Sequence, residues 1–256
     1  MMAENYVPTQ ADILSRSRAV VKPGLCMILP QVNRVASNLP NFEKTIAQVL
    51  ATPETGAKFV EHELILEPGG GTVTPIQDGL EHFCFMVEGN LHLDIAGDKK
   101  HDLGEGGFAY LPVGTVFGFK NPYDKKSRAL WIKRRYKPIG LLKPDRIIGN
   151  ERNVPGTPGQ YLIPYKENLA YDMSMLIVNL DPGKGLSQLE IHIMEHGLYM
   201  LQGQGIYWLS GDYHEVQTND FIYMAPYCPQ YFYVTGQSMG RYLLYKDVNR
   251  DYNEKL

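Results

Sequence analysis

The chain has 256 residues, enough for one large domain or two smaller ones, and its 44% hydrophobic and 21% charged content is that of a globular protein. A formal net charge of −3 leaves no electrostatic footprint for nucleic acid or for an anionic membrane surface. The densest basic run, Lys133, Arg134 and Arg135, reads as a solvated strand end.

Residues 1–18 mix Glu4, Asp12, Arg16 and Arg18 with polar side chains. They lack the apolar stretch of a secretory signal and no long apolar run follows, so a cytoplasmic location is expected. Cys26, Cys84 and Cys228 are odd in number and show no CxxC or metal-finger spacing, which reads as three reduced thiols. Residues 41–50 (NFEKTIAQVL) are the best helix candidate. Residues 60–66 (VEHELIL) and 173–180 (MSMLIVNL) are aliphatic, β-branched runs that stop at Pro-Gly, as strands do. Residues 91–103 and 206–216 read as hairpins turned by Gly97-Asp98 and Gly211-Asp212. Residues 108–119 and 221–234 are apolar runs broken by proline, as at barrel corners. Short strands between Gly and Pro turns indicate an all-β sandwich or barrel.

Landmarks in the first half return in the second. Glu67-Pro68-Gly69 reappears as Asp181-Pro182-Gly183, Gly89 as Gly203, and Gly97-Asp98 as Gly211-Asp212, each 114 positions later. Phe108 and Lys133 return as Phe221 and Lys246 at 113 positions. A constant offset with a one-residue slip marks a tandem duplication. Two barrels are therefore expected, the first with its N-terminal extension in residues 1–145 and the second in residues 146–256.

The second copy carries Glu190-x-His192-x3-His196, with Gln230 on a later run. Even spacings on a strand put the first three on one face, and barrel closure can bring Gln230 opposite them. One carboxylate, two neutral imidazoles and one amide oxygen suit Mn²⁺ or Fe²⁺, with Zn²⁺ and Ni²⁺ as further options. The lack of a thiolate argues against a structural zinc. A Glu-x-His pair alone is common on strands that bind nothing; the third donor, four residues on, tips the reading toward a metal. The first copy is an internal control, because Ile76, Asp78, His82 and Phe117 stand at the equivalent positions. Only His82 could coordinate there. The first barrel is thus expected to be metal-free, with Glu81 and His82 as core or interface polar groups.

Tyr242 and Lys246 differ by four and share a strand face. An inward lysine is costly unless it meets an anion such as a carboxylate; the alternative is a strand-end lysine reaching solvent. Lys133 at the matching place in the first copy leaves both readings standing. Tyr207 and Tyr242 are, by type, core aromatics before they are ligand contacts.

The order Glu-x-His-x3-His-x6-Gly, with Asp220 and then Gln230, resembles the two cupin motifs, and the fold this implies is a pair of jelly-roll barrels, a bicupin. Glu190 stands where the usual pattern has a first His, His196 where it has Glu, and Gln230 where it has the last His. Ala225-Pro226-Tyr227 replaces its Pro-x-Gly turn. That ligand exchange, together with LEIHIMEHG, LQGQGIYWL, IKRRYKPI and the tail YLLYKDVNRDY, resembles the (S)-ureidoglycine aminohydrolase family, manganese enzymes of purine (allantoin) catabolism. The resemblance implies Mn²⁺ held by Glu190, His192, His196 and Gln230, with a small anionic ureido substrate contacted by Glu190, Tyr207, Tyr242 and Lys246. The chemistry expected of these residues makes Glu190 and Lys246 catalytic, Glu190 assisting departure of the amine and Lys246 holding the carboxylate. Open barrel edges and cupin habits favour a homo-oligomer, and the charge leaves no nucleic-acid or membrane partner. The rival readings are another metal-dependent bicupin enzyme, such as a dioxygenase or sugar-acid isomerase, and a non-catalytic small-ligand binder.

Overall fold

Glycine lets the chain reverse tightly enough for a series of antiparallel pairings. The computed structural model describes residues 17–140, 142–156 and 159–248. Two strands come first, β1 (Val20–Lys22) and β2 (Cys26–Leu29), joined by a Pro23-Gly24 turn in which Gly24 takes φ 71°. The next five are β3 (Ala36–Ser37), β4 (Phe42–Ala51), β5 (Phe59–Thr72), β6 (Glu81–Glu88) and β7 (Leu91–Ile95). They are followed by β8 (His101–Leu103), β9 (Gly107–Leu111), β10 (Phe117–Lys120), β11 (Ser127–Arg134) and β12 (Ile147–Asn150). The second half holds β13 (Gly159–Tyr161), β14 (Met173–Leu180), β15 (His196–Gln202) and β16 (Gln204–Leu209). It ends in β17 (Asp212–Gln217), β18 (Phe221–Met224), β19 (Gln230–Thr235) and β20 (Gly240–Asp247).

Strands β3 to β12 form one ten-stranded sheet, wrapped around Leu64, Leu93, Phe117, Phe119 and Trp131. The second barrel combines a seven-stranded sheet with the three-stranded β17-β16-β19 sheet around Met200, Tyr207, Phe232 and Tyr242. Strand pairing crosses the 145/146 division in both directions. β2 hydrogen-bonds to β18, with Ile28 opposite Ile222, so residues 20–29 belong to the second barrel's sheet. β12 pairs with β9 and extends the first. Among the described residues no helix is long and apolar enough to cross a membrane.

Residues 41–50 are a strand, not the expected helix. β4 pairs with β5 along nearly its whole length, and bulges interrupt the register around Lys44 and between Val49 and Ala51. The β-branched Thr45, Ile46 and Val49 favour extended backbone, and the long β5 offers unpaired donors and acceptors that only a strand satisfies. In both hairpins the glycine occupies the turn and the aspartate closes it: Ser210 and Gly211 both have positive φ between the paired Leu209 and Asp212.

A third cluster, including Phe59, Phe83, Tyr110, Met173, Tyr199 and Tyr245, is built from both barrels and fills the space between them. Charge is buried there too. Arg134 of the basic run is not solvated: it is 4% exposed and reaches Asp172, Glu81 and the Tyr245 hydroxyl. An extended β11 must send alternate residues inward, which is why the middle of the run is buried. Glu63 pairs with both Arg34 and Arg128, and Arg128 donates to the Tyr199 hydroxyl of the other barrel at 2.9 Å. The buried Glu63 charge is thus met by two guanidinium groups, as a carboxylate removed from water requires.

Candidate metal centre

Glu190 and His192 lie outside the regular strands, a departure from the strand alternation expected of them. β15 begins only at His196, and Glu190 is held by a single antiparallel bridge to Gln230. That bridge has two backbone hydrogen bonds, Glu190 N–H to the Gln230 carbonyl at 2.9 Å and the reverse at 3.0 Å. The intervening loop exposes Leu189 and Ile191 and turns the ligand-type side chains inward. Tyr227 donates its N–H to the His192 carbonyl at 2.7 Å, so the turn that replaces Pro-x-Gly anchors this loop. Tyr227 adopts φ 65° there, a left-handed conformation in which glycine is usual.

Ligand atoms of Glu190, His192 and His196 all lie within 4.8 Å of one another. That is close to the roughly 4 Å separating donors on opposite sides of an ion bound at about 2.1 Å. The His192 and His196 rings are 4.7 Å apart, and His192 Nε2 stands 3.7 Å from Glu190 Oε2. The Gln230 amide lies 3.2 Å from His196 Nδ1, and the Tyr207 hydroxyl donates to Gln230 Oε1 at 3.3 Å. The structure therefore brings the four expected ligands together, with Tyr207 as a support for the amide.

The electrostatics suit a cation. Burial pushes His196 well below the usual imidazole range, helped by the nearby His192 and Lys246, so it is neutral and can donate a lone pair. The neighbouring His192 lowers Glu190, with Lys246 acting in the same direction, so it is a carboxylate. His192 Nδ1 is buried and has no hydrogen-bond partner among the described residues. A half-buried imidazole with an orphaned nitrogen, beside a carboxylate and a neutral imidazole, fits a divalent ion.

Lys246 sits on β20 directly opposite His196 of β15, with its ammonium 5.8 Å from the centre of the Tyr165 ring. Tyr242, two repeats of the pleat away, is 2% exposed, and Tyr207 is 1% exposed. Burial raises both phenols, and the Glu190 charge adds to it, so both stay protonated and can donate. Two neighbours escape a reading of spacing. Tyr165 reaches Lys246 from the loop between β13 and β14. Asp247 accepts the Glu195 N–H at 2.6 Å and pins the residue before His196. Asp247 follows Lys246 directly in sequence, which is the one signal that could have marked it. Of the tail YLLYKDVNRDY, residues 249–252 lie outside the described residues, as do residues 1–16 at the other end.

The same bridge exists in the first barrel. Ile76 pairs with Phe117, the counterparts of Glu190 and Gln230, through hydrogen bonds of 2.6 and 3.2 Å. Its His82 is taken up by Asp78 at 2.9 Å, and Glu81 accepts from the Tyr110 hydroxyl at 2.7 Å.

Comparison with known proteins gives the same fold over both barrels. The family model described as Cupin domain matches residues 62–133, within the first barrel. The (S)-ureidoglycine aminohydrolase of Escherichia coli is 33% identical over 255 residues, covering 96% of this chain and 97% of its own. The Arabidopsis thaliana enzyme of the same name is 34% identical and covers 94% of this chain and 81% of its own. The crystal structure of protein Ylba from Escherichia coli has a TM-score of 0.85 at 33% identity, covering 95% of this chain and 99% of that one.

Proposed function

As the chain belongs to the (S)-ureidoglycine aminohydrolase family of double-barrel cupin proteins, we propose that it replaces the amino group of (S)-ureidoglycine with hydroxyl. The products are (S)-ureidoglycolate and ammonia, and the setting is purine breakdown through allantoin. The observation that carries this reading is the convergence of Glu190, His192 and His196 with Gln230, opposite Lys246.

Those four side chains would hold the ion, and Mn²⁺ is the proposed metal, with Fe²⁺ the other candidate. A divalent ion bound there would supply Lewis acidity to the substrate or a water. Lys246 neutralises the substrate carboxylate and orients it. The protonated Tyr242 donates to the ureido oxygen, while the Tyr207 hydroxyl, whose proton goes to Gln230 Oε1, accepts from a ureido N–H. The Glu190 carboxylate takes a proton from water as the new C–O bond forms, and passes it to the amino nitrogen as the C–N bond breaks. One proton moves, and ammonia leaves with it.

The reading includes a cytoplasmic homo-oligomer without nucleic-acid or membrane partners. Its supports are three free cysteines, a net charge of −3, and an apolar face around Leu189, Trp208, Tyr213 and Tyr233 that lines a cavity of about 640 Å³. The experiment is ammonia release from freshly generated ureidoglycine, measured beside an oxidisable diketone and a sugar acid. Ammonia from ureidoglycine alone supports the reading. Binding of ureidoglycine without ammonia, or turnover of another substrate class, overturns it.

A further inference from the structure

We propose that the mouth of the first barrel is a second ligand site, one that binds a small carboxylate bearing amide or ureido N–H groups and uses no metal. A cavity of about 300 Å³ opens there, lined by Ile76, Gln77, Asp78, Trp131 and Lys133, with Phe42 at its rim. Ile76, Asp78 and Lys133 are the repeat counterparts of Glu190, His192 and Lys246, so this is the place that the metal centre occupies in the second barrel. The backbone frame is kept, through the Ile76–Phe117 bridge, while the donor atoms are exchanged.

What remains is arranged for a ligand with two ends. Lys133 lies between His82 and Val60 on neighbouring strands, just as Lys246 lies between His196 and Ser174. Its ammonium rests 4.7 Å from the centre of the Trp131 ring, and among the described residues no carboxylate pairs with it. A cation on an aromatic platform beside an open cavity is a seat for a carboxylate. Beside Lys133 on the neighbouring strand, His82 is fully used: Nδ1 accepts from Trp131 at 3.3 Å and Nε2 donates to Asp78 Oδ1 at 2.9 Å. His82 thereby holds Asp78 in place and leaves its second oxygen, with the Gln77 amide, for N–H donors of a ligand. His62, 6% exposed and stacked on Trp131 from the adjacent strand, keeps Nδ1 without a partner among the described residues. With Ile76 and Phe117 in place of Glu and Gln, the pocket can retain such a molecule and cannot process it.

The chain has two tryptophans, Trp131 in this pocket and Trp208 on the outer face of the second barrel, so Trp208→Phe leaves one reporter. N-carbamoylglycine, a stable ureido carboxylate, is titrated into the metal-loaded Trp208→Phe protein while Trp131 emission is followed. A saturable change is expected. Adding Lys133→Met should weaken its midpoint about tenfold or more, while Lys133→Arg keeps it near the parent value and Lys246→Met leaves it in place. Thermal unfolding of each variant separates lost binding from lost folding, and Lys133→Gln serves if Lys133→Met melts early. No saturable change in the folded parent, or a midpoint indifferent to Lys133, overturns the site. Acetate binding as tightly as N-carbamoylglycine overturns the assigned ligand class. Ammonia release is measured separately, so failure of this site and failure of the proposed reaction are distinct results.

Discussion

At the scale of single residues, the metal reading rests on side chains whose removal has different consequences. Glu190→Ala and His192→Ala each take away one donor of the converging three, and metal retention should fall more than about 100-fold in dialysed protein. Elemental analysis checks this. Lys246→Met keeps the donors and removes the charge that would meet the substrate carboxylate. Its KM should rise about tenfold with a smaller change in kcat, as a ground-state contact requires. Tyr207→Phe removes the hydrogen bond to Gln230 Oε1 and should loosen the metal without emptying the site. The cluster of donor-type side chains was legible in sequence because spacing and residue type survive in any local conformation. The conformation itself was not: alternation on a strand suggested the right convergence for the wrong reason, since a lone bridge and a loop produce it.

At the scale of elements, β15 carries the consequence. Gly197 follows His196, and a Cβ there would stand 2.7 Å from Phe59 Cζ and 3.0 Å from Glu61 Oε2. Gly197→Ala must therefore shift the buried Phe59 ring at the seam between the barrels, at a cost of about 1–3 kcal/mol, and should disturb the adjacent His196 as it does so. Chemical denaturation and metal content should fall together. β2 offers the complementary case. Ile28 is fully buried against the second barrel, so Ile28→Ala should destabilise that barrel by about 2–5 kcal/mol and promote metal loss on heating. Turn chemistry marked both hairpins, because a tight turn depends on residues next to each other. The partner of β2 lies about 190 positions away, and no local pattern carries that information. β4 misled for a related reason: its apolar spacing suits a helix, and only the open flank of β5 makes a strand the better solution.

For the whole molecule, the duplicated barrels are joined by a core that also buries carboxylates. Burial pushes Glu61 up to about 8, against the pull of Arg34 and with the push of Glu63. A folded-state value raised above the ordinary carboxylate range means that the folded chain binds the extra proton. Its stabilising effect is complete below about pH 4 and is lost as pH rises through about 8. Glu61→Gln removes that loss. The variant should match the parent near pH 4 and exceed it by a few degrees in Tm near pH 9; an unchanged difference across that range would remove Glu61 from the account. The duplication was legible because landmarks recur at a fixed offset, and the exchange of donor-type residues between the copies could be read from Ile76 and Phe117. How the copies exchange strands could not.

The most direct measurement is ammonia release from ureidoglycine by stripped protein before and after Mn²⁺ is restored, with Glu190→Ala treated in parallel. Turnover should be absent when stripped, return with the metal, and stay absent in Glu190→Ala. Full turnover in the stripped protein, or in Glu190→Ala, would contradict a metal-dependent reaction in the second barrel.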